Sequence, residues 1–230
     1  MVLRLGRLDA DAAAAGVATV EMASDAPVRL LCLHGWAGNE RAFRRQARTL
    51  LKLLARRNIE AVVPSAPLKL PPPRDGRSRE DARCWFYYDA EDLASTARAF
   101  AAEEYVGWTE ETAPYLRDFE ATAGPFDGVL GFSQGAVAAH LLCCGGVLAA
   151  APKFAVLLSG FPARSAAAVA EPSAAEGTRS VHVSGARDDR VPPALQAALA
   201  ARFGVAADAV WTHRGSTIRV AVEAGDARKG

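Results

Sequence analysis

One serine stands in a sequence context that could make it a nucleophile. Gly131-Phe132-Ser133-Gln134-Gly135 is a G-x-S-x-G pattern, which can form a sharp turn between a strand and a helix with the serine at its apex. The apolar run 128–130 predicts a buried strand before the turn, and the small-residue run 136–144 predicts a buried helix after it. In a chain rich in alanine and glycine the pattern also arises by chance, so the serine needs partners elsewhere.

A nucleophilic serine needs a base, and the base needs an acid that orients it. In α/β-hydrolases these residues follow in the order serine, acid, histidine, each in a loop after a strand. Asp188 and Asp189 follow the strand predicted at 180–184, and Asp188 is favoured because Val191-Pro192 then begins the next helix at the usual offset. The alternative is an acidic pair that is simply solvated in a turn.

The candidate base is found by elimination among four histidines. His213 alone follows the predicted acid, and it ends the last predicted strand, 210–213. The alternative is a strand-end histidine that is bonded to backbone.

The oxyanion that forms when serine attacks a carbonyl carbon needs two N–H donors. A His-Gly pair after an early strand opens the loop that supplies one of them in α/β-hydrolases, and here His34-Gly35 follows a strand predicted at 28–33. The predicted oxyanion hole is therefore formed by the backbone N–H groups of Trp36 and Gln134. The alternative for the His-Gly segment is an ordinary glycine turn.

The elements that must position these residues alternate between strands and helices. The sequence predicts further strands at 60–63 and 154–158 and helices at 40–57, 109–121 and 193–203. Strand–helix–strand units of these lengths imply right-handed crossovers and a parallel sheet. We therefore predict an α/β fold of the α/β-hydrolase type, with one doubly wound, mostly parallel sheet and helices on both faces.

Residues 64–92 are predicted to be irregular, and they end in an aromatic run that includes Trp85 and Phe86. Long loops inside compact domains are usually functional or disordered. These aromatic side chains either line a pocket for the acyl group of a substrate or cap a sheet edge. Whether residues 64–108 form a lid is left open.

Composition narrows the class of protein. The 230 residues fit one α/β domain, and a net charge of +1 with half the residues hydrophobic favours neither nucleic acid nor an anionic membrane as partner. The four cysteines have no disulfide or metal spacing, which predicts a reducing, cytoplasmic compartment and no metal site. No apolar run is long enough to span a membrane.

The two ends of the chain carry little signal. Residues 1–26 are predicted to be an extension; arginines before an alanine-rich stretch resemble a transit peptide, but Asp9, Asp11 and Glu21 argue against one. The hydrolase domain is predicted to span 27–217, and 218–230 form an atypical tail with strand-like alternation.

Several separate segments, in the same order, resemble the FSH family of serine hydrolases. They are 31–39 (LCLHGWAGN), 83–86 (RCWF), 124–128 (GPFDG) running into 131–136 (GFSQGA), and 185–192. The resemblance implies that Ser133 is the nucleophile and Asp188 the acid. It also implies an esterase or thioesterase that acts on small-molecule acyl esters or thioesters without a cofactor.

The chain departs from that family at the catalytic base. The family ends its last strand with His-x-Gly-Gly-His, whereas this chain has His213-Arg214-Gly215-Ser216-Thr217, so that threonine occupies the catalytic position. Threonine has no basic group near neutral pH. Two hypotheses follow: an active hydrolase with His213 as displaced base, or an impaired homologue that serves as an acyl-binding or interaction module. The acyl-protein thioesterase/carboxylesterase group, which shares Gly-Phe-Ser-Gln-Gly, is a third interpretation that explains segments 83–86 and 124–128 less well.

Overall fold

A computed structural model describes residues 26–72, 81–164, 175, 178–205 and 210–213. The predicted N-terminal extension (apart from Ala26), Thr217 and the C-terminal tail lie outside the described residues. The boundaries predicted for the hydrolase domain therefore stay a prediction.

The core of the fold is a six-stranded parallel sheet. The described residues form eight strands, six of which belong to this sheet: β1 (Val28–Leu33), β2 (Ile59–Val62), β3 (Leu68–Lys69), β4 (Arg83–Cys84), β5 (Gly128–Phe132), β6 (Phe154–Leu158), β7 (Arg179–Gly185) and β8 (Trp211–His213). The main sheet has the order β2-β1-β5-β6-β7-β8 with every neighbouring pair parallel, and β3 pairs with β4 in a separate antiparallel ribbon. This arrangement confirms the predicted fold class.

The helices cover both faces of the sheet. They are α1 (Glu40–Gln46), α2 (Arg48–Ala55), α3 (Ala113–Ala123, preceded by a π-helical turn at Trp108–Thr112), α4 (Gln134–Cys143) and α5 (Pro193–Ala201). Alternate residues of β1 enter different cores: Leu30 and Cys32 pack in the core that also contains Phe43 of α1, whereas Leu31 and Leu33 join the core around α4. Continuous apolar strands are expected where both faces of a sheet are buried.

The helices predicted at 109–121 and 193–203 are observed at 113–123 (α3) and 193–201 (α5). The helix predicted at 40–57 is broken at Ala47, whose ψ of 11° separates α1 from α2. The Ala47 N–H still donates to Phe43 O at 2.8 Å, and Leu51 N–H to Ala47 O at 2.9 Å. Hydrogen bonding and the apolar stripe therefore run through the break, which is why periodicity did not reveal it.

The sheet brings the candidate residues to one edge. In a parallel sheet the carboxyl ends of neighbouring strands meet at the same edge, where α/β proteins place their ligand sites. The loop after β1, the turn after β5 and the turns after β6 and β7 all leave from this edge. No helix among the described residues is both long and apolar enough to cross a membrane.

Candidate active site

Ser133 lies at the apex of a strained turn between β5 and α4. Its φ of 53° and ψ of −118° fall in a region that residues other than glycine rarely adopt. Its N–H donates to Leu158 O of β6 at 2.9 Å, which holds the turn against the neighbouring strand. A side chain on Gly131 would overlap Gly135 O, and one on Gly135 would overlap Leu33 O. Both glycines of the pattern are therefore required by close backbone approach.

The loop after β1 is a tight turn that carries Trp36. Gly38 N–H donates to Gly35 O at 3.0 Å, and Ala37 has a φ of 56°. Within the described residues the N–H groups of Trp36 and Gln134 have no hydrogen-bond acceptor. Because β1 and β5 are adjacent in the sheet, the turn and the start of α4 are neighbours. These two N–H groups are thus available for an oxyanion, as an oxyanion hole requires.

His34 is a fixed, neutral part of this loop. It is 1% exposed, and burial lowers its pKa to about 4. Its Nε2 accepts from Ala66 N–H at 3.0 Å, so the proton must be on Nδ1, which donates to Gly35 O at 2.8 Å. The histidine therefore anchors the loop and is not free to act as a base.

Asp188 is held by hydrogen bonds to both carboxylate oxygens. Its Oδ1 accepts from the N–H groups of Arg190 and Val191, each at 3.0 Å. Its Oδ2 accepts from Ser159 Oγ at 2.8 Å and is 3.5 Å from Gln196 Nε2. Asp188 is 7% exposed, whereas its neighbour in the sequence, the other candidate acid, is exposed. A fixed, buried carboxylate suits an acid that orients a base, which favours Asp188 over Asp189.

His213 is the last described residue of β8, where its backbone is level with Gly185 of β7. Three strand spacings separate β8 from β5, or about 14 Å at roughly 4.8 Å for each. A histidine and a serine side chain joined by a hydrogen bond span only about 10 Å between Cα atoms. A base at His213 would therefore require the chain to leave β8 before this residue, and its role stays a prediction.

Trp85 and Phe86 lie behind the candidate site. Both are 0% exposed, so neither contributes accessible surface to a substrate pocket in this structure. Trp85 N–H donates to Gln134 Oε1 at 3.0 Å, and Trp85 Nε1 donates to His34 O at 2.8 Å. Gln134 Nε2 donates to Phe86 O at 2.7 Å. Substrate contact by these two residues stays a prediction, while their observed contacts are with the oxyanion loop and the serine turn.

Sequence reasoning missed three polar side chains at this edge. Ser159 bonds Asp188, the Gln134 side chain bonds the 85–86 backbone, and Thr112 Oγ1 donates to Trp85 O at 2.5 Å. For Ser159 a signal existed, since it follows strand β6 as Ser133 follows β5. The other two contacts join residues far apart in the sequence, and no local pattern indicates them. Among the described residues no group of three or more His, Cys, Asp or Glu is placed to hold a metal.

Comparisons with known proteins show the family of the chain. The model of the FSH1 serine hydrolase family matches residues 22–217. Esterase OVCA2 of Danio rerio is 34% identical over 194 residues, covering 74% of this chain and 81% of that protein. Esterase OVCA2 of Homo sapiens is 32% identical over 200 residues, covering 79% of this chain and 86% of that protein.

Solved structures of similar shape show the fold. Acyl-protein thioesterase 2 of Zea mays superposes with a TM-score of 0.58 at 21% identity, covering 86% of this chain and 88% of that one. SOBER1 of Arabidopsis thaliana gives 0.53 at 20% identity, covering 84% and 89%. At these identities the likeness concerns the fold alone, so it does not favour the thioesterase group over the family whose model matches. The chain belongs to the FSH1 family of serine hydrolases.

Proposed function

We propose that this protein hydrolyses small-molecule carboxylic esters or thioesters through an acyl-enzyme on Ser133. The observation that carries the proposal is the turn at Ser133, where the serine has a φ of 53° directly before a buried helix. The loop after β1 lies beside this turn, and the N–H of its Trp36 has no acceptor among the described residues. Strain of this kind persists only where surrounding contacts enforce it, and it is concentrated at functional sites.

In the proposed reaction Ser133 Oγ attacks the acyl carbonyl carbon and gives its proton to a base. The N–H groups of Trp36 and Gln134 stabilise the negative charge on the carbonyl oxygen. The bond from carbon to the leaving oxygen or sulfur then breaks, and the base returns the proton to the leaving group. Water repeats the sequence on the acyl-enzyme, which releases the carboxylic acid and regenerates Ser133.

The proposed acid is Asp188, and the proposed base is His213. The contact from Gln196 Nε2 to Asp188 Oδ2 is long, at 3.5 Å, so we propose that this oxygen accepts a further hydrogen bond in the working site. A histidine N–H at this oxygen would be held in the tautomer that accepts the Ser133 proton. Burial of Asp188 would strengthen its attraction for the imidazolium that forms.

A second candidate function is a catalytically impaired acyl-binding or interaction module. Two observations favour it: Thr217 stands where the family has its base, and the backbone of His213 is three strand spacings from the serine turn. Without a base, an oxyanion hole and substrate binding still leave a rate roughly 10³- to 10⁴-fold above water. Such a protein would keep the serine turn and lose fast turnover.

The test is labelling with a fluorophosphonate, read by intact mass and peptide mapping, together with hydrolysis of p-nitrophenyl butyrate and a butyryl thioester. We expect stoichiometric labelling at Ser133 that is lost in Ser133→Ala and in His213→Ala. Asp188→Asn should slow hydrolysis by about 10⁴-fold, whereas Asp189→Asn, at the exposed neighbour, should not. A cooperatively folded protein that neither labels nor turns over would refute the active-enzyme proposal, and a gain of activity in Thr217→His would then identify the lesion.

We further propose a reducing, cytoplasmic location. All four cysteines are free thiols, and three of them are buried, which supports a compartment that does not form disulfides. Cell fractionation would test this.

A further inference from the structure

The segment 83–86 runs across the gap between the two halves of the candidate oxyanion hole. At one end Arg83 N–H donates to Gly38 O at 3.0 Å, in the loop that carries Trp36. At the other end Phe86 O accepts from Gln134 Nε2 at 2.7 Å, at the start of α4. The segment thus contacts both elements whose N–H groups would bind an oxyanion.

Trp85 is the one residue of this segment that bonds both elements at once. Its indole Nε1 donates to His34 O at 2.8 Å, and its ring centroid is 5.0 Å from that of His34. Its backbone N–H donates to Gln134 Oε1 at 3.0 Å. The same region of β1 is already in close contact with the serine turn, because a Cβ on Gly135 would overlap Leu33 O and press on His34 O.

These contacts are buried and neutral. Trp85 and Gln134 are each 0% exposed, and His34 is 1% exposed. Thr112 Oγ1 donates to Trp85 O, so the polar atoms of the Trp85 backbone and side chain are all satisfied. Loss of one partner in such a buried network is costly, because no water is present to bond the polar group that is left unpaired.

We propose that Trp85 is a positioning residue that fixes the distance between the Trp36 and Gln134 N–H donors through its indole N–H. This inference rests on the proposed function of that oxyanion hole. It assigns Trp85 a role in the transition state without any contact with substrate. We call the bonds from Trp85 to His34 O and to Gln134 Oε1 the brace. An oxyanion donor acts only when it lies at hydrogen-bond distance from the developing charge, so loss of the brace weakens transition-state binding more than substrate binding.

The test is Trp85→Phe, which keeps an aromatic ring and removes the indole N–H. With p-nitrophenyl butyrate as probe we expect kcat to fall by about 10- to 100-fold, below the loss from deleting one donor outright. KM should stay within roughly three-fold, because the change acts in the transition state. Trp108→Phe is the matched control: Trp108 is 3% exposed in the same aromatic cluster, with its ring 6.1 Å from Phe86, and the described residues show no bond from it to either donor loop.

Backbone amide chemical shifts supply a readout that does not depend on turnover. In Trp85→Phe the ¹⁵N and ¹H shifts of the Trp36 and Gln134 amides should change, and their hydrogen exchange should accelerate, while Trp108→Phe leaves both near wild type. If the wild-type protein neither labels nor hydrolyses the probe, the proposed function fails, and these amide measurements alone decide whether the brace exists.

A second pair of variants covers the case in which Trp85→Phe does not fold. Thr112→Val removes the hydroxyl that donates to Trp85 O, and Thr112→Ser keeps it. We expect Thr112→Val to lower kcat in the same direction and Thr112→Ser to restore it. A folded Trp85→Phe with wild-type kcat and unchanged Trp36 and Gln134 amides would overturn the inference, even if its melting temperature fell. So would a Thr112→Val variant that is indistinguishable from Thr112→Ser.

Discussion

A fall in pH from about 7.5 to 5 should destabilise this protein, because three histidines are buried in the neutral form. Burial lowers the pKa of His34, His140 and His182 from 6.5 to about 4. They are 1%, 1% and 4% exposed, so solvent screening changes this little. Nearby cations act in the same direction: Arg202 lowers the pKa of His140, and Arg83 that of His34.

The direction of the pH dependence follows from where the protons bind. Between about pH 4 and 6.5 the unfolded chain binds a proton on each of these histidines and the folded chain does not. Stability is therefore unaffected above the unfolded pKa and is lost progressively as pH falls through this window. At about pH 5 the loss is about 2 kcal/mol for each histidine, or about 6 kcal/mol for the three, relative to about pH 7.5.

His140 is the sharpest single probe of this linkage. Its Nδ1 accepts from Ala163 N–H at 3.4 Å, and its Nε2 has no partner within the described residues. Its ring is 5.5 Å from Phe203, and burial, together with the nearby Arg202 and His182, opposes an added charge there. In His140→Gln the side chain cannot titrate, so the difference in unfolding free energy between about pH 7.5 and pH 5 should shrink by about 2 kcal/mol. That difference is independent of whatever the substitution costs at neutral pH.

The assay is urea denaturation at a series of pH values, followed by tryptophan fluorescence.

Asp127 affects stability in a separate pH range. Burial alone would raise its pKa, but hydrogen bonds from Lys153 and from Arg29 N–H lower it below 3.8. Its contribution is present above that value and disappears only at lower pH, so it does not mimic the histidines. Equal stability of the wild type at about pH 7.5 and pH 5, or an unchanged pH difference in His140→Gln, would refute the reasoning.

Three further predictions concern the serine turn and the acid. Ser133→Gly should abolish hydrolysis yet raise the unfolding free energy by roughly 1 kcal/mol, because glycine adopts a φ of 53° without strain. Gly135→Ala should lower the unfolding free energy by more than about 3 kcal/mol, since the new methyl overlaps Leu33 O. Ser159→Ala should lower kcat by about ten-fold, because Asp188 Oδ2 loses its 2.8 Å donor. Urea denaturation checks the first two, and steady-state kinetics with p-nitrophenyl butyrate checks the third.

Each of these has a control on the same chain. Ser133→Ala keeps the Cβ and should not gain stability. A Cβ added at Gly145 has no atom within 4 Å, so Gly145→Ala is strained only by its φ of 87°. If Gly145→Ala lowers the unfolding free energy as much as Gly135→Ala does, steric overlap is not the cause. Ser184→Ala removes another buried hydroxyl, on β7, and an equal fall in kcat there would contradict a specific role for Ser159.

The sequence was most informative where burial on both faces makes a strand continuously apolar. The bounds predicted for β1 and β6 are those observed, and β2, β5, β7 and β8 differ by one or two residues at one or both ends. The β3–β4 ribbon was not predicted, because strands of two residues are too short to show a period. The π-helical turn before α3 was missed for a related reason: its residues have the same apolar spacing as an ordinary helix start.

Within the site, the sequence predicts the features that depend on a few consecutive residues. A turn such as that at Ser133 demands glycines at fixed offsets, so a five-residue pattern suffices to find it. The brace at Trp85 depends on an indole meeting a carbonyl 51 residues away, and only the fold brings these groups together. The sequence therefore indicates the aromatic character of Trp85 and Phe86, and only the fold shows their hydrogen bonds.

Neither the candidate oxyanion hole nor the candidate acid depends on the catalytic base for its position. The two loops of the proposed oxyanion hole are held by neutral, buried bonds through Trp85, Gln134 and His34, none of which involves a residue beyond β8. Asp188, the proposed acid, is likewise fixed by Ser159 and by backbone N–H groups that follow β7. A change at position 217 would thus remove proton transfer and leave the machinery for transition-state charge intact. Either proposed function is therefore compatible with a preserved serine turn, and the rate of proton transfer from Ser133 Oγ is the quantity that separates them.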